Sequence, residues 1–137
     1  MKKILLFITF FAIALCFYVS RIKKSFKYEI ISIDNIYNHD DNYYLDLILK
    51  VSNSWLPKIE IEEIFLDVWI NGEYFGNTYN NQLFNIINGS VKIPLTIKSK
   101  NPGLSIALMI EKEKNVQAKG FIKTSLIKIP IDFEDKF

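Results

Sequence analysis

Hydrophobic and polar positions alternate most regularly between residues 43 and 76. Leu45, Leu47, Leu49 and Val51 are interleaved with Asp46, Ile48, Lys50 and Ser52, the two-residue period of a strand with one face on a core. Ile59 and Ile61 open a second alternation, and Ile64, Leu66, Val68 and Ile70 continue it after a slip of one residue at Glu62-Glu63. One extra residue of this kind is what a β-bulge inserts, and it returns the apolar set to the buried face. Asn71-Gly72 supplies the positive-φ pair of a tight hairpin turn into Glu73-Tyr74-Phe75.

The same pattern extends both ways. Phe26, Tyr28 and Ile30, then Ile31, Ile33 and Ile36 after a phase change, predict a first strand ending in the polar turn at residues 38–42. Residues 76–82 read as a polar crossing, residues 83–87 as a short strand, and Asn88-Gly89 as a turn. Val91, Ile93, Leu95 and Ile97 alternate cleanly, with Pro94 in an outward position suited to an edge or a bulge. Residues 104–114 fit a helix through Leu104, Leu108 and Glu111, and a strand equally well through Ile106, Ala107 and Ile110. Residues 116–124 alternate loosely, with Gly120 marking a bulge or a close backbone approach, and Ile127, Ile129, Ile131 and Phe133 predict a closing strand followed by a frayed 134–137 tail. Seven or eight short strands separated by turns predict an all-β, antiparallel sandwich.

The N-terminus follows a different rule. Lys2-Lys3 precedes an unbroken apolar or small run over residues 4–19, and Arg21, Lys23, Lys24 and Lys27 follow it. Such a run is a membrane-directed helix, and three fates fit it: an uncleaved signal-anchor, a cleaved signal peptide, or a lipoprotein leader in which Ile13-Ala14-Leu15-Cys16 stands in for a lipobox. The chain divides into an N-terminal segment (1–20), a basic tether (21–27) and a β domain (28–137).

Charge sharpens this division. The formal net charge of +2 hides an asymmetry, because five of the 17 basic residues lie before residue 26, leaving 12 against 15 acidic ones, or −3. A mildly acidic domain has little grip on a nucleic-acid backbone. Cys16 is the single cysteine and His39 the single histidine, so neither a disulfide framework nor a Cys/His metal site forms within one chain. His39, Asp40 and Asp41 are adjacent and read as a solvated turn, and Glu60, Glu62 and Glu63 as a solvent face. No nucleophile-base set or phosphate-binding glycine loop is recognisable, so the sequence predicts a non-enzyme with no cofactor, no metal and no catalytic residue. Trp55, in the loop beside Pro57, is the aromatic expected to be exposed. With Tyr74 and Tyr79, and more loosely Tyr43, Tyr44 and Phe75, it forms a candidate contact surface.

The stretch LKVSNSWLPKIEIEEIFLDVWINGEYFG, with SVKIPLTIKS over 90–99 and GFIKTSLIKIPIDFE over 120–134, resembles the type 2 late embryogenesis abundant domain, also called the water stress and hypersensitive response domain. Asn53 matches the first residue of its Asn-Pro-Asn motif while Ser54 and Trp55 replace the other two, and Asn71-Gly72 with Gly76 matches its glycine turn. The resemblance spans about residues 28–134. It implies an immunoglobulin-like or fibronectin-III-like sandwich, a role in desiccation or other stress protection, and no catalytic residues. The expected function is therefore a membrane-anchored domain outside the cytoplasm acting in stress tolerance. The alternative is an adhesion or envelope-assembly module that meets a protein or envelope component through a strand edge or loop aromatics.

Overall fold

The computed structural model describes residues 2–55, 57–87, 89–110 and 113–137, and the side chains of all of these except 35 and 108–110. The apolar N-terminal run is one helix, α1 (Lys2–Ser25), which passes into β1 (Phe26–His39) with no residue between them. Then come β2 (Asn42–Asn53), β3 (Lys58–Ile70), β4 (Glu73–Asn80), β5 (Phe84–Ile87), β6 (Ser90–Ser99), α2 (Pro102–Ile110), β7 (Asn115–Thr124) and β8 (Lys128–Lys136). The alternating positions of β2 and β3 all face a single core. The slip in β3 is a real irregularity: pairing with β7 skips between Ile61 and Glu63, which keeps Ile61 and Ile64 both buried. Two register shifts in β1, between Ile30 and Ser32 and between Ile33 and Asn35, explain its phase change in the same way. Asn71 (φ 52°) and Gly72 (φ 82°) form the predicted primed turn.

The expected sandwich is not what these strands build. A sandwich holds two separate sheets face to face, whereas here seven strands run through one hydrogen-bonded sheet in the order β1-β2-β6-β4-β3-β7-β8, with β5 on β3. The sheet curls into an almost closed antiparallel barrel. Its two edge strands come close enough that the Tyr28 hydroxyl of β1 accepts the Asp132 N–H of β8 (3.0 Å) and donates to the Asp132 carbonyl (3.3 Å). Strand number and turn spacing are common to sandwiches and barrels, so they did not discriminate. The decision lies at the β4–β6 join, Gly76↔Ser99 and Asn77↔Lys98. There a Cβ on Gly76 would overlap the Lys98 carbonyl oxygen, so only glycine lets the two backbones meet.

Two local expectations also change, and one left open is decided. Residues 76–80 are not an irregular crossing but the second half of β4; the pairing shift between Val68 and Trp69 leaves Phe75 as a bulged, fully buried residue. The C-terminal tail does not fray, because β8 runs to Lys136, and Phe137 and Lys114 exchange backbone hydrogen bonds at 2.8 and 2.7 Å. The stretch after Asn101 is helical over Pro102–Ile110, where the Asn101 side chain accepts the Leu104 N–H (3.1 Å) as a cap. The expectations for the Leu108 side chain, for Glu111 and for Asn88 fall outside the described residues.

Candidate functional site

Helix entry organises one end of the barrel. In an α-helix, residues spaced at i, i+3, i+4 and i+7 share a face, and Tyr18, Arg21, Ile22 and Ser25 are so spaced. Ile22 is 1% exposed and belongs to the barrel core. The last turn of the anchor is thus a plug in the domain, and residues 21–25 are helix while 26–27 open β1. Around the plug stand the start of β1 with the end of β2 (Phe26↔Asn53), the start of β6 (Ser90↔Ser52), and β3 with the end of β5 (Lys58↔Ile87). The β7–β8 turn joins them, its Ser125 N–H donating to the Glu60 carbonyl (3.0 Å).

Asn53 ties helix to loop. It is 2% exposed; its Nδ2 donates to Ser25 Oγ (2.9 Å), its Oδ1 accepts the Trp55 N–H (3.0 Å), and its own N–H donates to the Gly89 carbonyl (2.9 Å). Ser25 Oγ in turn donates to the Ile22 carbonyl (3.0 Å), one of the orphan acceptors at the helix end. With its backbone so fixed, the β2–β3 loop sends Trp55 down along α1, where it meets the Tyr18 ring edge-on at a centroid distance of 5.1 Å. A pair of this geometry contributes about 0.5–1.5 kcal/mol beyond its buried area. Trp55 stays 38% exposed. We expect Asn53→Ala to destabilise the full chain by about 1–3 kcal/mol, since it leaves the part-buried Trp55 N–H and the Ser25 hydroxyl each short of a partner. Denaturant titration in detergent micelles reads this, and unaltered stability would remove Asn53 from the account.

The same end carries apolar tips and positive charge. Trp55 in the β2–β3 loop, Ile87 (60% exposed) at the end of β5 and Leu126 (50% exposed) in the β7–β8 turn are among its exposed apolar side chains. Arg21, Lys24, Ser25, Ser54 and Trp55 line a hollow of about 260 Å³ between α1 and the β2–β3 loop. On the neighbouring flank Lys27 and Lys50 line two further hollows, with Glu29 4.0 Å from Lys50.

The other predicted site residues lie elsewhere. Tyr74 is half-buried on the outer face of β4, edge-on to Trp69 at 5.5 Å, and donates to Asp67 Oδ1 (2.8 Å). Burial first, then the hydrogen bond to Asp67 and its negative charge, push its phenol above the ordinary tyrosine range. Tyr79 is exposed and stands across from Phe65, whose ring stacks on Phe121 at 5.8 Å on the next strand. So Trp55 is not brought together with Tyr74 and Tyr79: the contact surface foreseen as one patch is two, one at the helix end and one on the outer sheet. Phe75, counted among its looser members, is in the core. Cys16 is exposed in the middle of α1, and Asn71 accepts the Asn115 N–H (2.9 Å), tying the glycine turn to β7. Among the described residues no group of three His, Cys, Asp or Glu side chains is placed to hold a metal ion. Tyr18, Ile22 and Ser25 were invisible as site residues in the sequence. The helical spacing was legible, but the barrel it plugs was not.

No protein-family model matches the chain, and no curated protein matches it; the resemblance to the type 2 late embryogenesis abundant domain gains no support. Among solved structures the chain is similar to a protein from Archaeoglobus fulgidus, with TM-score 0.48 and 16% identity over 82% of this chain and 94% of that one. It is also similar to a FixG-related protein from Vibrio parahaemolyticus, with TM-score 0.46 and 14% identity over the same shares. Likeness at this level transfers no function, substrate or partner. What stands is a β domain carried on one N-terminal helix long and apolar enough to cross a membrane, with the apolar residues of the span outside the barrel and Ile22, near its end, inside it.

Proposed function

We propose that this protein is a membrane-anchored, non-enzymatic binding module of the cell envelope, whose domain lies outside the cytoplasm and docks a protein or envelope component. One observation carries the reading: the anchor enters the domain without a linker and buries Ile22 in its core. A barrel mounted this way has a fixed height and rotation relative to the bilayer. Fixed orientation serves a docking partner, whereas a desiccation shield, which works by occupying space between other molecules, gains nothing from it. The outer patch of exposed Tyr79 with half-buried Phe65 and Phe121 supplies aromatic surface for contact. Beside it, among the described residues, β5 pairs with β3 alone, leaving a short strand edge open.

The test is photo-crosslinking in intact cells from a reactive amino acid at position 79, with and without a flexible 12-residue insertion between Ser25 and Phe26. The expected result is a discrete envelope adduct that weakens when the insertion frees the barrel. No adduct, or an adduct indifferent to the insertion, overturns the docking role. Protection of a drying reporter enzyme beyond that given by an unrelated barrel of equal mass would restore the shielding role instead.

A further inference from the structure

We propose that the hollow lined by Arg21, Lys24, Ser25, Ser54 and Trp55 binds the phosphodiester headgroup of an anionic phospholipid in the leaflet from which α1 emerges. The inference rests on the anchored reading above. Its first support is depth. Trp55 touches Tyr18, seven residues and thus about 10 Å of helix before Ser25, so the loop reaches below the barrel to the level where the apolar run ends. Tyrosine and tryptophan concentrate at that level of a bilayer, where ring and headgroup region overlap. Arg21 lies one helical turn above Tyr18, on the same face. The aromatic pair therefore floors the hollow at the edge of the hydrocarbon, and the cationic groups wall it at phosphate height.

Its second support is charge without a partner. Among the described residues neither Arg21 nor Lys24 is in an ion pair, although Lys50 and Lys123 are each within 4.0 Å of a glutamate, and no carboxylate lines the hollow. A guanidinium presents paired N–H donors that match two phosphate oxygens, and a lysine ammonium adds a point charge. Lys24 in the last turn also complements the helix dipole, but Arg21 is a turn further from the end. A third support comes from topology. With the domain outside the cytoplasm, Arg21, Lys23, Lys24 and Lys27 follow the span on the side where the positive-inside rule disfavours them. Phosphate ligation gives that costly placement a use. The lipid's acyl chains would then run along the exposed apolar face of α1 below Tyr18, where Leu15 and Phe11 stand.

Native mass spectrometry of the full chain, released from detergent carrying equal amounts of phosphatidylglycerol and phosphatidylcholine, tests this. At about 1 kcal/mol for each basic residue near an anionic surface, two residues give a preference for the anionic lipid of roughly 30-fold. The Arg21→Gln/Lys24→Gln double variant should lose it, Arg21→Lys should lose part of it, and Lys2→Gln/Lys3→Gln, at the other end of the span, should keep it. Inorganic phosphate, added in excess over the lipid, should displace none. Equal binding of both lipids, an undiminished preference in the double variant, or loss in the Lys2/Lys3 variant overturns the site; displacement by phosphate reassigns it to a soluble anion and overturns the lipid. Should the double variant misfold by circular dichroism, Trp69→Phe leaves Trp55 as the one tryptophan, and quenching by lipids brominated near the headgroup must then be stronger than by lipids brominated near the chain end. Carbonate extraction separates the two readings: a chain washed off the membrane sinks the anchor, whereas a retained chain with no lipid preference sinks the hollow alone.

Discussion

Phe75→Ala is expected to destabilise the barrel by about 3–5 kcal/mol, the range for truncating a large buried aromatic. Phe75 is fully buried and, among the described residues, is the largest side chain so placed. It also occupies the β4 bulge, where its carbonyl accepts the Lys100 N–H (2.7 Å). Collapse around the lost ring is restricted on both sides. Gly76 next to it holds the β4–β6 join, and Trp69↔Tyr74 fixes the preceding pair. A domain of this size commands about 5–15 kcal/mol in total, so the loss is a large share of it and should lower the denaturant midpoint markedly. Denaturant titration of the full chain in detergent checks it; a loss under about 1 kcal/mol would mean that the bulge relaxes to fill the void.

Gly120→Ala should cost about 3 kcal/mol, as an overpacked site that backbone alone surrounds. The strand at this point lies between Leu66 of β3 and Ile131 of β8. A Cβ on Gly120 would overlap the Phe65 carbonyl oxygen and come within 3.0 Å of Leu66 Cα. No rotamer change relieves such a clash, because both groups are main chain in the ladder. Gly103→Ala is the matched control. It adds the same methyl group near the start of α2, where the nearest heavy atom is 3.6 Å away, and should be close to neutral or slightly stabilising. Equal effects from the two substitutions would show that lost glycine flexibility, rather than contact, governs both.

Much of the barrel wall was legible because burial in a strand imposes a strict period. Leu45, Leu47, Leu49, Val51 and the six apolar positions of β3 announced their face, and the one slip at Glu62-Glu63 announced its bulge. Gly120 was also readable as a close approach, though as one between paired strands without a bulge. Residues 76–80 were not readable. Their side chains are polar or, at Tyr79, exposed, and the buried Phe75 just before them sits on a bulge, so no alternation survives. Closure of the sheet was illegible for a different reason. It depends on pairs distant in sequence, Gly76 with Ser99 and Tyr28 with Asp132, and neither leaves a periodic trace. The helix-end site shares that limitation: Arg21 and Lys24 advertised charge, whereas the contact of Tyr18 with Trp55 required the β2–β3 loop to be placed.

The uninterrupted passage from Ser25 to Phe26 has a mechanical consequence. Were a partner held on the outer sheet to pull the domain away from the bilayer, the load would enter along β1, whose ladder with β2 extends from Phe26↔Asn53 to His39↔Asn42. Force along the strand axis strains those hydrogen bonds together instead of peeling them singly from one end. The first strand, though at the edge of the sheet, is thus arranged to bear tension in shear, and the domain can serve as a stiff tether between the membrane and whatever it holds.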